Sequence, residues 1–151
     1  MNVFDEFFKI VRVLEERGVR YALVGGVAMA FYTEPRFTRD IDFLISADDF
    51  SEMQKALEDF GYVESITPWT FQEISITLHR FFKVEEDEEM MIDVLASGDP
   101  EVDRFVESAV DAESDQGRVR VVRREDLVEL KRIRASGQDL VDIERLESEE
   151  D

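Results

Sequence analysis

The sequence contains no cysteine and only one histidine, His79, among its 151 residues. Without cysteine there can be no disulfide framework and no metal site built from thiolates. A single histidine also excludes a zinc site that needs two or more histidine ligands. Any metal ion that this chain binds must therefore be held mainly by oxygen ligands, which suits magnesium, calcium or manganese.

The sequence also lacks a long apolar run and a basic segment near its start. No apolar stretch approaches the roughly 18 residues that a membrane-spanning helix requires. Acidic residues, Asp5 and Glu6, stand within the first six positions, which is unlike a signal peptide. These patterns predict a cytoplasmic protein that has no membrane partner.

Positive charge is scarce, since 18 lysines and arginines stand against 37 aspartates and glutamates, for a formal net charge of −19. This excess of acid disfavours a long contact with nucleic acid and is typical of solubility, adaptation to salt or a preference for cationic partners. Seven basic residues are nevertheless concentrated within 118–134. Such a local positive surface predicts either an anionic ligand or acidic neighbours that face it.

Helical and strand patterns alternate along a chain whose length suits one domain. We expect a single domain over 1–146 and a frayed acidic tail over 147–151. Helices are predicted over 3–16, 27–32, 46–60, 101–108, 125–134 and 139–146. Extended segments are predicted over 21–24, 40–45, 62–66, 73–84, 90–96 and 118–122, with an acidic turn over 85–89.

Two carboxylates, Asp40 and Asp42, stand at the start of the apolar strand pattern 40–45. Because side chains alternate across a strand, both aspartates point to one face while Ile41 and Phe43 point to the other. Like charges this close repel each other unless a cation lies between them. A bound divalent metal would relieve that repulsion, and carboxylate-bound metals promote displacement at phosphorus.

A third carboxylate, Asp93, is the lone charge in the apolar pattern 90–96. If that strand lies beside 40–45, Asp93 joins Asp40 and Asp42 in one cluster. The alternative is that Asp40 pairs with Arg36 or Arg39, and Asp93 with another arginine, as ordinary ion pairs.

A glycine pair, Gly25-Gly26, stands between the first predicted strand and a helical pattern. In that position backbone N–H groups and a helix N-terminus can bind a phosphate group. A glycine pair can also mark only a tight turn. Its place upstream of the paired aspartates favours the phosphate interpretation.

The order Gly25-Gly26, Arg36-x-Thr38-x-Asp40-Ile-Asp42 and a later strand acid resembles the DNA polymerase beta-like nucleotidyltransferase superfamily. Within it, the pattern is similar to a small group related to toxin–antitoxin and abortive-infection proteins. The resemblance implies an α+β fold with a mixed central sheet and helices packed on it. It also implies a nucleoside triphosphate (NTP) substrate and Mg²⁺ or Mn²⁺ as cofactor.

The resemblance further implies roles for individual residues. Asp40, Asp42 and Asp93 would form the catalytic and metal site, with Asp93 helping to activate the acceptor hydroxyl. The nucleotide would be bound by Gly25, Gly26 and Lys131, the last from the C-terminal helix. Arg36 and Thr38 would contact phosphate if the strand begins early, and would otherwise serve local structure. Many members carry Gly-Ser, so Gly26 in this chain removes one hydrogen bond to phosphate.

These inferences predict a metal-dependent transfer of a nucleoside monophosphate (NMP) from an NTP to a hydroxyl, with release of pyrophosphate. The alternative is a catalytically inactive, nucleotide-binding interaction module of the antitoxin type. The acceptor could be a partner protein of a toxin–antitoxin pair, a tRNA end or a small cationic molecule. We place the partner protein first, because the acidic chain disfavours RNA and enzymes for cationic small molecules usually carry a larger second domain.

Overall fold

A computed structural model of the chain describes residues 3–25, 28, 40–65, 69–71, 76–114 and 117–134. In this part of the chain, four α-helices lie against one mixed sheet of eight strands. The helices are α1 (Val3–Glu16), α2 (Phe50–Asp59), α3 (Pro100–Glu107) and α4 (Arg124–Arg134), and a 3-10 turn (Ala47–Asp49) precedes α2. The strands are β1 (Tyr21–Val24), β2 (Asp40–Ser46), β3 (Val63–Glu64), β4 (Trp69–Phe71), β5 (Ile76–Glu85), β6 (Glu88–Ser97), β7 (Val110–Ser114) and β8 (Gly117–Val121).

The strand order is β3–β5–β6–β2–β1–β8–β7, and β4 also pairs with β5. β2 runs parallel to β6 and antiparallel to β1, while β1 runs parallel to β8. The amino ends of β2 and β6 therefore meet the carboxyl ends of β1 and β8 at one end of the sheet, which we call the site end. This mixed sheet confirms the α+β fold that the sequence predicts.

Helices α1 and α2 cover one face of the sheet with aromatic contacts. Phe7 of α1 stacks on Phe43 of β2 with ring centroids 6.3 Å apart, and Phe50 of α2 lies 6.4 Å from Phe81 of β5. Burying a side chain of this size stabilises the fold by about 1.5–3 kcal/mol. On β2 and β6 the alternate residues on this face are apolar and buried, whereas β5 places His79 and Lys83 on it beside Phe81.

Helix α3 packs on the other face, against β1, β2 and β6. It begins at a capping sequence in which Asp99 accepts a hydrogen bond from the Glu101 amide at 2.9 Å and Pro100 occupies the first turn. Leu44 of β2 is fully buried on this face. None of the helices in the described ranges is long and apolar enough to cross a membrane.

The structure corrects three predicted boundaries. The acidic turn is confined to Glu86 and Asp87, whose φ values of 52° and 65° form the tight hairpin, and the flanking acids continue β5 and β6. The predicted helix 46–60 is divided into the 3-10 turn and α2. The predicted extended segment 62–66 is shorter, since only β3 is paired.

Two strands were not predicted. β7 pairs with β8 so that Asp111 lies opposite Arg120 and Glu113 lies opposite Arg118. Cross-strand pairs of opposite charge stabilise a strand without the apolar alternation that would reveal it in the sequence. β4, which pairs with β5, also went unpredicted. The predicted helices over 27–32 and 139–146 and the tail over 147–151 lie outside the described residues.

Candidate active site

Two of the predicted site residues, Asp42 and Asp93, lie directly opposite each other on neighbouring parallel strands. Paired residues on adjacent strands project from the same face, and such strands lie about 4.8 Å apart. The two carboxylates therefore stand side by side at the site end, on the face away from α1 and α2. Asp42 is half-buried, and the side chain of Asp93 is only 13% exposed.

The register that brings these carboxylates together follows from the core. Ile41 and Phe43 of β2 and Ile92 and Val94 of β6 are all buried on the opposite face. A slip of one residue in either strand would move these apolar side chains out of the core. The core thus holds both strands in the one register that places the aspartates side by side.

Gly25 completes this part of the site because its backbone lies against Asp42. It follows β1, whose last residue pairs with Asp42, and it adopts a positive φ of 70°. A Cβ added at Gly25 would lie 1.8 Å from Oδ2 of Asp42 and 2.8 Å from its Cγ. No other residue type fits here without moving the carboxylate, so the predicted glycine is matched to the predicted aspartate.

The remaining predicted residues are described only in part. Asp40 begins β2 opposite Met91, two residues before Asp42, and Lys131 lies in α4. Their side chains lie outside the described structure, as do Gly26, Arg36 and Thr38 in full.

Arg80 is a site residue that the sequence analysis missed. It lies on β5 opposite Asp93, and its Nε and Nη2 donate to Oδ1 and Oδ2 of Asp93 at 2.8 and 3.1 Å. The two contacts form a bidentate ion pair, the strongest geometry available to an arginine and a carboxylate. The signal in the sequence was an arginine in phase with Ile76 and Leu78, the apolar positions of this strand, and that signal does not identify a partner.

Asp42, Asp93 and Arg80 lie in one row across β2, β6 and β5. In this row Asp93 shows both features that the sequence offered as alternatives. The carboxylate stands beside Asp42, as a metal or catalytic site requires, and it is paired with an arginine, as an ordinary ion pair would be. A carboxylate pair of this kind offers the oxygen ligands that Mg²⁺ and Mn²⁺ prefer. Among the side chains that the structure describes, no three acids or histidines gather as a metal site.

The basic residues of 118–134 lie in two places: some stand on β8 beside acidic residues of β7, and others stand at the site end. Arg118 and Arg120 lie 3.8 Å from Asp111, and Arg120 also donates to carbonyl groups at the end of α3. Acidic neighbours thus account for this part of the stretch. Arg123 stands after β8 at the site end, where it pairs with Glu125 and lines a cavity of about 340 Å³ between the end of α3 and the start of α4.

The fold is similar to those of solved proteins described as nucleotidyltransferases. The lincosamide antibiotic adenylyltransferase LnuA, solved with lincomycin bound, is 21% identical, with a TM-score of 0.62 over 95% of this chain and 96% of that chain. A Thermotoga maritima protein assigned as a nucleotidyltransferase is 14% identical, with a TM-score of 0.63 over 87% and 86%. The antibiotic-resistance factor ANT(2'')-Ia is 15% identical, with a TM-score of 0.59 over 97% and 84%.

At these identities the structural likeness shows a shared fold. No curated protein matches the sequence. Residues 1–130, however, match the family described as uncharacterised nucleotidyltransferase. The matched range includes Gly25, Asp42 and Asp93, and it ends one residue before Lys131. The chain belongs to this nucleotidyltransferase family.

Proposed function

We propose that this chain transfers an NMP from an NTP to a hydroxyl acceptor in a reaction that depends on a divalent metal. The observation that carries the proposal is the pairing of Asp42 with Asp93 beside Gly25. Two adjacent carboxylates destabilise a fold through mutual repulsion, and a purely structural sheet has no need of them. Membership of a nucleotidyltransferase family supports the same reaction class.

Asp42 and Asp93, together with Asp40, would hold Mg²⁺ or Mn²⁺. When bound, the metal would neutralise charge on the triphosphate and on the departing pyrophosphate. The backbone at Gly25 leaves room for the Asp42 carboxylate and, with Gly26, would approach the phosphates. Arg36, Thr38 and Lys131 would add charge and hydrogen bonds to the triphosphate.

Asp93 would receive the proton of the acceptor hydroxyl. The bond that forms joins the acceptor oxygen to the α-phosphorus, and the bond that breaks releases pyrophosphate. The protein would contribute mainly orientation of the reactants and stabilisation of charge in the transition state.

Three acceptor classes are compatible with this reaction. A partner protein of a toxin–antitoxin pair remains our first prediction on sequence grounds, and a tRNA end remains open. The comparison with LnuA removes the objection to a small molecule, because that lincosamide adenylyltransferase is matched over 96% of its own length. A chain of this size is therefore sufficient for a small acceptor, and the net charge of −19 would attract a cationic one.

A second candidate function is a nucleotide-binding interaction module without turnover. The bidentate pairing of Asp93 with Arg80 favours it, because both oxygens of that carboxylate already have a partner. The two candidates differ in one measurable quantity, which is the release of pyrophosphate.

The experiment supplies purified protein with Mg²⁺ and each of the four α-labelled NTPs in turn. Three acceptor pools are tested in parallel: a host-cell protein extract, purified tRNA, and a panel of cationic hydroxylated small molecules. We expect label in one pool and an equal amount of pyrophosphate. Nucleotide binding without transfer to any pool would favour the interaction module, and label in tRNA alone would contradict the protein acceptor.

A further inference from the structure

Arg80 and Asp93 differ in how freely each can move. The side chain of Asp93 is 13% exposed and stands between β2 and β5 in the sheet, whereas the side chain of Arg80 is 49% exposed. An exposed guanidinium can exchange a carboxylate partner for water. The Arg80 guanidinium can therefore leave the carboxylate more easily than the largely buried carboxylate can leave its place beside Asp42.

The guanidinium and a divalent cation would compete for the carboxylate of Asp93. Arg80 donates to both oxygens of the carboxylate, at 2.8 and 3.1 Å. A divalent cation bound by Asp42 and Asp93 would need at least one of those oxygens, and it would be repelled by the positive charge of Arg80. In the absence of such a cation, Arg80 offsets the repulsion between the two aspartates.

We propose that Arg80 is the counter-ion of Asp93 before a divalent cation binds, and that the cation displaces it. The proposal rests on the proposed function in one respect, which is that Asp42 and Asp93 form the cation site. Arg80 is then a positioning residue: it acts on the reaction through Asp93, whose carboxylate it holds and then releases. The affinity of the site for the cation is lowered by the strength of the ion pair that must be broken.

The test measures Mn²⁺ binding without nucleotide, by electron paramagnetic resonance of the free ion and by calorimetry at low ionic strength. Arg80→Gln removes the competing charge and should bind Mn²⁺ about tenfold more tightly than the native chain. Arg80→Lys keeps a charge but loses the two-pronged contact, so its affinity should lie between the two. Because Arg80 is half-exposed, we expect both variants to fold, which circular dichroism verifies.

Arg20→Gln is the matched control. Arg20 is also exposed and lies 3.4 Å from an aspartate, Asp49, but it stands before β1, at the opposite end of that strand from Gly25. This variant changes the net charge of the protein by the same amount as Arg80→Gln. Its Mn²⁺ affinity should match the native value within about twofold, because a charge this far from the site is screened.

The outcomes separate this inference from the proposed function. Equal or weaker Mn²⁺ binding by Arg80→Gln would overturn the inference, and NTP turnover by the native chain would leave the proposed function in place. Tighter binding by Arg80→Gln in a protein that transfers no NMP would support the inference and overturn the enzyme. Absence of Mn²⁺ binding in every variant would overturn the inference as well.

Discussion

Strand β5 carries ion pairs on both of its faces, and the Arg80 and Lys83 pairs differ in what surrounds them. Arg80 pairs with Asp93 on the face that holds the candidate site, and its side chain is 49% exposed. Lys83 pairs with Glu6 of α1 on the helix-covered face, where the two side chains are 14% and 12% exposed. Lys83 also donates to the Phe60 carbonyl at 2.9 Å.

The Lys83 pair has the surroundings of a fixed structural contact. The ammonium group lies 5.1 Å from the centre of the Tyr62 ring, and the Tyr62 hydroxyl donates to Glu6 at 3.2 Å. Burial and the negative charge of Glu6 raise the pKa of Tyr62 above its ordinary value. Lys83, Glu6 and the Tyr62 hydroxyl are thus all partnered within the protein. The Arg80 pair instead faces solvent beside a second carboxylate, which makes it the pair that a ligand can change.

The largest expected effect comes from a change at Asp42, the second carboxylate beside the Arg80–Asp93 pair. Asp42→Asn removes the charge but keeps the size of the side chain. Turnover should fall by at least ~10³, the scale of one electrostatic contact in a transition state. The melting temperature should change little, because the substitution relieves repulsion with Asp93.

Asp111→Asn is the control for Asp42, since Asp111 is also a strand aspartate but lies on β7, away from the site. The turnover of both variants is measured as the steady-state rate of pyrophosphate release. Near-normal turnover in Asp42→Asn would end the enzyme interpretation of this face.

The second-largest effect, from a change at Lys83, should be on stability and not on turnover. Lys83→Met leaves Glu6 buried without its cation, which should lower the free energy of unfolding by about 3 kcal/mol and the melting temperature by about 6–12 °C. Turnover measured well below the melting temperature should stay within about twofold. The double variant Lys83→Met with Glu6→Leu should recover most of the lost stability. A loss of turnover in the folded single variant would contradict the assignment of the two faces.

The third effect tests the contact between Gly25 and Asp42. Gly25→Ala places a methyl group where the Asp42 carboxylate lies, so turnover should fall by about 10² through misplacement of that group. Gly18→Ala is a close control, because Gly18 has φ +73° but nothing within 4 Å of the added carbon. Both variants should lose about 1–2 kcal/mol of stability from the strained φ. Equal turnover in the two variants would show that the close approach to Asp42 has no catalytic consequence.

The sequence predicted those parts of the site that depend on local pattern. Alternation placed Asp42 on the polar face of its strand, and the lone acid in 90–96 identified Asp93, because each needs only the period of a strand. The pairing of β2 with β6 could be stated only as a condition, since strand order is a property of the whole sheet. Arg80 could not be assigned for the same reason: its partner is 13 residues away and depends on the register of the β5–β6 hairpin.

The fold was predicted least well where charge replaces apolar pattern. β7 is stabilised by arginines on β8, so its acidic residues resemble a loop until the partner strand is known. The same pairs explain part of the basic stretch, for which the sequence left open an anionic ligand or acidic neighbours. The division of that stretch into cations used by the fold and cations at the site end required the structure.

The smallest expected effect comes from a change at Lys131, a basic residue of α4. Helix α4 starts just after β8 at the site end, and Lys131 lies about two turns, or about 10 Å, along it. If this lysine steadies the triphosphate, Lys131→Ala should raise the Kd for NTP about tenfold, with no change in Mn²⁺ affinity measured without nucleotide.

The control for Lys131 is Lys55→Ala, because Lys55 is an exposed lysine of α2 that pairs only loosely with Glu52 at 3.6 Å. The Kd of each variant is measured by calorimetric titration with non-hydrolysable analogues of ATP and of CTP. An unchanged Kd in Lys131→Ala would separate this lysine from the nucleotide and favour pairing of the basic stretch with the acidic tail. A raised Kd would instead give the site a cation that stays with the ligand, in contrast to Arg80, which we expect the ligand's metal to displace.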